Sequence, residues 1–156
     1  MRLRHYVEAT VEAGWLDYLG HVNYLEYQRV ADGATDALWL ELSGGRDVAA
    51  RQGAEFAIVD LQVRYHRELN LGDRIRVETR VIGYDAKRIA VRHEVRRNAG
   101  SAAGELCCGI VFVAVSFHLS DRKVRPFAPD VLARLAALHD PLPEAPLPAL
   151  RIPLPA

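Results

Sequence analysis

Asn23-Tyr24-Leu25-Glu26-Tyr27-Gln28-Arg29-Val30-Ala31-Asp32-Gly33-Ala34-Thr35-Asp36-Ala37-Leu38 is where the period of the chain changes. Tyr27, Val30, Ala31, Ala34, Ala37 and Leu38 recur at spacings of three and four. Glu26, Arg29, Asp32 and Asp36 fall largely on the other side. Such spacing puts one apolar stripe on a helix, and the run predicts about five turns. Asn23 suits the N-cap, because its short side chain can accept an orphan backbone N–H. Gly44-Gly45 suits the stop, because glycine takes the left-handed backbone that ends helices. Gly33 is costly inside a helix, which implies close packing there.

On both sides of this helix the period is two. His5, Val7, Ala9 and Val11 alternate with Tyr6, Glu8 and Thr10, predicting a strand over 5–11. Beyond residue 53, Phe56 and Ile58 share one parity and Leu61, Val63 and Tyr65 the other. The switch near Val59-Asp60 predicts a bulge. Ile75, Val77, Thr79 and Val81 alternate with Arg74, Arg76, Glu78 and Arg80, and Gly83 to Ala86 reads as a hairpin turn. Ile89, Val91, His93 and Val95 then alternate with Arg88, Arg92, Glu94 and Arg96. After a loop from Asn98 to Gly104, Leu106–Leu119 is apolar on both faces, as a central buried strand is. Val131, Leu132, Leu135 and Leu138 predict a short helix over 130–139. The last sixteen residues carry six prolines and read as an extended tail.

The expected organisation is one domain over 1–139 and a Pro-rich tail over 140–156. No internal repeat is visible. Short connections predict that the later strands are antiparallel neighbours. One apolar helix beside one sheet requires the sheet to wrap it. The fold class is therefore α+β, an antiparallel sheet of about five strands around one long central helix.

The chain has 156 residues, enough for one domain with its own core. Twenty Lys and Arg balance twenty Asp and Glu, so nothing global favours nucleic acid or an anionic membrane as partner. No apolar run is long enough to span a bilayer. The N-terminus lacks the apolar core of a signal peptide, and the expected location is the cytoplasm. Cys107 and Cys108 are adjacent and on a strand would face opposite ways, which argues against a disulfide or a shared metal. The six histidines show no metal-ligand spacing.

Chemistry concentrates in Trp15-Leu16-Asp17-Tyr18-Leu19-Gly20-His21-Val22-Asn23-Tyr24. An acid, a glycine, a histidine and an asparagine precede the helix, whose first N–H groups are unpaired and partially positive. Those donors can polarise a carbonyl or hold an oxyanion. A carboxylate a few residues earlier can act as general base or nucleophile. The same Asp equally reads as a turn former, and the same His as a surface residue. The residues alone leave both readings open.

The segment resembles the signature of the 4-hydroxybenzoyl-CoA thioesterase-like hotdog family. That signature is an Asp, two intervening residues, a Gly, then His-Val-Asn opening the central helix. Asp17, Gly20, His21, Val22 and Asn23 match it as they stand, and the order of elements agrees over residues 5–120. Trp15-Leu16-Asp17-Tyr18, Asp85-Ala86-Lys87-Arg88 and His93 look closest to the carnitinyl- or betainyl-CoA thioesterase branch. That branch has Asn before the Gly where this chain has Leu19, so the substrate can differ.

The resemblance implies that Asp17 attacks the thioester carbonyl of an acyl-CoA or activates a water to do so. It implies that the backbone N–H of Tyr24 polarises the thioester oxygen. Asn23 and His21 would hold the turn or touch the substrate, beside Gly20 and Val22. No metal or redox cofactor is implied, coenzyme A being part of the substrate. The family's site forms between two subunits, which implies a homodimer or homotetramer.

Three further residues are substrate-binding candidates: Lys87 and Arg88, which follow a hairpin turn and could meet the phosphates of CoA, and His66 in the local basic cluster of Arg64, His66 and Arg67. Each also reads as a solvated strand residue. His93 lies on the apolar parity of its strand, the usual place of a satisfied core histidine. The rival functions are a hotdog hydratase or dehydratase acting on enoyl or hydroxyacyl thioesters, and a non-catalytic acyl-CoA-binding module.

Overall fold

A computed structural model of the chain describes residues 4–98 and 102–142. The element order is β1 (Arg4–Thr10), a single 3-10 turn (Ala13–Trp15), α1 (Tyr24–Leu42), β2 (Ala54–Tyr65), β3 (Arg74–Tyr84), β4 (Arg88–Arg97), β5 (Glu105–His118), β6 (Lys123–Val124) and α2 (Pro129–Leu138). The path through the sheet is β1-β3-β4-β5-β2, and β6 pairs with β5. All of these pairs are antiparallel. The curled sheet wraps α1, as the alternation implied. The short β6 and the 3-10 turn are too brief to show a period.

The helix begins and ends where its caps predict. The Asn23 side chain accepts the Leu25 N–H at 2.9 Å, and Gly44 and Gly45 take φ of 65° and 83° just past the end. At Gly33 an added Cβ would stand 3.4 Å from Cγ2 of Val7. The missing side chain lets β1 lie close against the helix.

Two expectations about strands are corrected. β2 is followed directly by β3 yet pairs with β5, on the far side of β4. The connection over 66–73 crosses two strands, with Leu69 buried at 1% exposure and its carbonyl accepting the Val22 N–H at 3.0 Å. Shortness alone did not make those two strands neighbours. In β1 the register slips between His5 and Val7, so Tyr6 is an extra residue. It packs on the core although its parity predicted the opposite face. The bulge expected in β2 is present between Ile58 and Asp60. The β3–β4 turn sits slightly later than its glycine suggested: Asp85 Oδ1 accepts the Lys87 and Arg88 N–H groups at 2.9 and 2.8 Å.

The core has two parts along α1. Tyr27, Val30 and Ala34 pack with Val77 and Ile110 near the helix start. Leu38, Trp39 and Leu42 pack with Val91, Phe112 and α2 near its end. Leu38 and Leu42 are fully buried, each contributing about 1.5–3 kcal/mol. Between the parts lies His93, 1% exposed. Its Nδ1 is 2.8 Å from Thr79 Oγ1 and its Nε2 is 2.9 Å from Thr35 Oγ1. Burial pushes its pKa down to about 4, so at neutral pH it is an uncharged core residue.

Beyond α2 the chain runs parallel to β3 at His139, Asp140 donates its N–H to Val81 O at 2.9 Å, and Leu142 packs over Ile82, Ala90 and Val113. The rest of the expected tail, from 143 on, lies outside the described residues.

Candidate active site at the start of the long helix

Residues 15–23 form a miniature hairpin against the helix. Leu16 bridges Val22 antiparallel, Asn23 donates its N–H to Trp15 O at 2.8 Å, and Asp17 donates its N–H to His21 O at 2.9 Å. Gly20 closes the turn with φ of 82° and its N–H on Asp17 O at 3.0 Å. That backbone is strained for residues with a Cβ, which accounts for glycine there. The half-buried Asp17 anchors its own turn: Oδ1 accepts the Leu19 N–H at 2.9 Å. Its Oδ2 takes no hydrogen bond among the described residues.

The turn delivers Asp17 to a cleft of about 340 Å³ lined by Asp17, Leu19, His21, Val22, Tyr24, Tyr27, Tyr65, His66, Arg67 and Glu68. The first residue of α1, Tyr24, stands in the wall, and its N–H has no acceptor within the helix. A carboxylate and the positive end of a 19-residue helix thus face one cleft. The combination can attack, or direct water at, a carbonyl carbon whose oxygen points at the helix start.

The supporting wall is aromatic. Tyr65 donates its hydroxyl to Tyr24 O at 2.8 Å and meets Tyr27 edge-on, ring centroids 5.3 Å apart. Tyr27 accepts the Leu69 N–H at 3.0 Å, and burial pushes its pKa up to about 12. His21 Nε2 lies 3.1 Å from a carboxylate oxygen of Glu68, which ties the Asp17 turn to the crossing connection. Among the described residues, no group of three or more His, Cys, Asp or Glu is arranged to hold a metal ion.

Of the sequence candidates, Asp17, His21, Val22, Tyr24 and His66 line the one cleft, and Gly20 and Asn23 shape its turn and cap. Lys87 and Arg88 are not brought to it. Arg88 pairs with Val115 of β5, whereas the cleft residue Tyr65 pairs with Cys108, roughly 23 Å away at the strand rise. Arg88 is also held by Asp85, Nη2 to Oδ2 at 2.5 Å. Tyr27, Tyr65 and Glu68 are the site residues that sequence reasoning missed. Tyr65 and Glu68 arrive through the pairing of β2 with β5 and the connection that follows it, which no local pattern announces, while Tyr27 comes from the apolar stripe of α1.

The model of the Thioesterase-like superfamily matches residues 11–135. The chain is 37% identical over 100 residues to the L-carnitine dehydrogenase/betainyl-CoA thioesterase of Agrobacterium fabrum. That match takes in 63% of this chain and spans 20% of the longer relative. The chain is 29% identical over 142 residues to the betainyl-CoA thioesterase of Pseudomonas aeruginosa, covering 88% of this chain and 87% of that one. A Staphylococcus aureus protein solved in complex with CoA superposes with a TM-score of 0.78 at 17% identity, over 99% of this chain and 98% of that one.

Proposed function

The chain belongs to the Thioesterase-like superfamily, and on that premise we propose that it hydrolyses an acyl-CoA thioester to the free acid and CoA at the Asp17 cleft. The observation that carries the site is the shared cleft: Asp17 and Tyr24, the first residue of α1, line the same space. The thioester carbonyl oxygen accepts the Tyr24 N–H, which strengthens as negative charge develops there. Asp17 either adds to the carbonyl carbon through Oδ2, giving an acyl anhydride that water then hydrolyses, or takes a proton from the water that adds directly. The C–S bond breaks, the sulfur leaves as thiolate, and the proton released from that water makes it the thiol of CoA.

The acyl group we assign is small and cationic, of the kind named for the two bacterial relatives. The rings of Tyr24 and Tyr65, 60% and 44% exposed, and the carboxylate of Glu68 support it, because aromatic faces and an acid attract a quaternary ammonium. The working unit we propose is a cytoplasmic homodimer or homotetramer. Among the described residues β2 pairs with β5 alone and exposes Ile58, Val59 and Leu61 along its other, unpaired edge, a surface suited to a second copy. In that arrangement Lys87 and Arg88 reach a substrate only from another copy. Among the described residues no helix is long and apolar enough to cross a membrane.

Free-thiol release from short-chain, aromatic and trimethylammonium-bearing acyl-CoAs tests the reading. Turnover highest with the trimethylammonium esters supports it. Hydration of enoyl esters with no thiol released, or tight CoA-ester binding with no turnover, replaces it with the hydratase or the binding module.

A further inference from the structure

The sheet has an outer face, turned away from α1, and β5 carries a glycine on it. Gly109 stands between Arg64 of β2 and Glu94 of β4, its partners in register. Opposed residues in antiparallel strands share a face, so all three side-chain positions point outward. The absent side chain leaves a hollow. A Cβ built there would lie 3.7 Å from Nη2 of Arg92 and 3.8 Å from Nε2 of His66. Two nitrogens therefore converge on one point, no further apart than those two distances laid end to end. A phosphate group with a hydrogen bond on each side spans such a gap.

The charges around the hollow leave it positive. Arg92 gives its Nε to Glu94 at 2.7 Å, and its Nη2 has no partner among the described residues. Glu94 is also held by Arg96, at 2.6 and 3.0 Å. Burial would raise the Glu94 carboxyl, and Arg96 with Arg92 more than reverses that. Glu78 is shared by Arg76 and Arg96 at 2.9 and 3.1 Å. Three guanidiniums thus stand over two carboxylates, and Arg64, exposed and opposite Gly109, adds a fourth with no ion pair among the described residues.

We propose that the Gly109 hollow, between Arg92 and His66, is an anion site that seats a phosphate of coenzyme A while the thioester lies at Asp17. The proposal rests on the acyl-CoA reading of the cleft. His66 joins the two places, since its residue lines the Asp17 cleft and its Nε2 leans over Gly109. The phosphate end of the substrate thus lies on the sheet face and its acyl end at the helix start. The site is separate from Lys87 and Arg88, which stand at the opposite end of the sheet.

Calorimetric titration of the full chain with CoA, dephospho-CoA and pantetheine reads the site without turnover. Wild type should bind CoA at least about tenfold more tightly than pantetheine, the size of one charge-assisted hydrogen bond. Arg92→Gln and Gly109→Ala should each erase most of that difference and raise KM for acyl-CoA, while acyl-pantetheine turnover stays within about twofold. Gly109→Ala guards against misfolding, because its methyl group would meet both nitrogens at ordinary contact distance. Loss of preference with dephospho-CoA identifies the 3′-phosphate as the bound group, and its retention the diphosphate. Equal CoA affinity in wild type and both variants overturns the proposal. CoA binding that falls in the variants of a chain that hydrolyses no thioester keeps the anion site and removes the thioesterase.

Discussion

The cleft at the start of α1 and the one at its end are similar in size, about 340 and 410 Å³, and opposite in chemistry. At the far end Arg46 pairs with Asp130, Arg51 with Glu55 and Arg125 with Asp121. Arg134 donates to Leu42 O, answering the negative end of the helix. Every guanidinium there is already matched. At the near end Asp17 keeps one carboxylate oxygen unbonded, and the first N–H of α1 lacks an acceptor within the helix. Volume does not distinguish the two clefts; the chemistry of their linings does, matched guanidiniums in the far one and, in the near one, a carboxylate beside the start of the helix.

Asp17→Asn makes the sharpest test of that contrast. Asn keeps an acceptor for the Leu19 N–H, so thermal unfolding should barely move. Thiol release should fall by about a hundredfold or more, the scale of a principal acid–base group. A mutant with near-wild-type turnover would erase the distinction between the ends. Arg51→Met is the mirror experiment. The Arg51 side chain is 9% exposed and Glu55 18%, so losing the guanidinium strands a largely buried carboxylate. Urea unfolding should show a loss of about 2–3 kcal/mol, with kcat unchanged.

His93 lies between the ends and reports on the shared core. Burial holds its pKa at about 4 in the folded chain, against the ordinary 6.5. The unfolded chain therefore binds the extra proton across that window. Stability is complete above 6.5 and falls by about 2–3 kcal/mol as pH drops toward 4. Unfolding free energies measured between pH 7 and 4.5 should show that slope, and His93→Asn should flatten it. Asn23→Ala gives the smallest effect, about 1 kcal/mol from the lost cap, read as a lowered melting temperature.

The two ends also differ in how far the sequence exposed them. The helix, its caps and the paired strands β3 and β4 follow from local rules, because a period and a cap involve residues a few positions apart. Asp17, Gly20 and His21 were legible through the resemblance, and the turn's hydrogen bonds supply its physical reason. Tyr65 and Glu68 were not legible in that role. A period of two says which face a residue takes and not which strand lies beside it, and β2 pairs with β5 while its connection to β3 crosses two strands. Tyr6 was misread for a related reason: one extra residue in β1 reverses parity without leaving a trace in composition. Lys87 and Arg88 stand roughly 23 Å along the sheet from the cleft of their own chain, a separation that charge and turn pattern do not reveal.

That crossing also sets an order of events. β3, β4 and β5 join through short connections, but β2 meets β5 across sequence separations of 43 to 64, Tyr65 with Cys108 and Ala54 with His118. β1 pairs with β3 across a comparable separation. Contacts of long sequence separation close late, because the entropy of the loop is lost before the contact forms. The meander should therefore collapse first, and the Asp17 cleft, roofed by the turn after β1 and walled by the end of β2, should be the last part to become native. The two tryptophans divide along this line: Trp15 lies in the cleft's turn and Trp39 in the far core. Stopped-flow fluorescence of Trp39→Phe, leaving Trp15 as the only indole, should develop its signal with the return of activity and lag behind backbone circular dichroism. Simultaneous recovery of all three would mean that sheet and site form in one step.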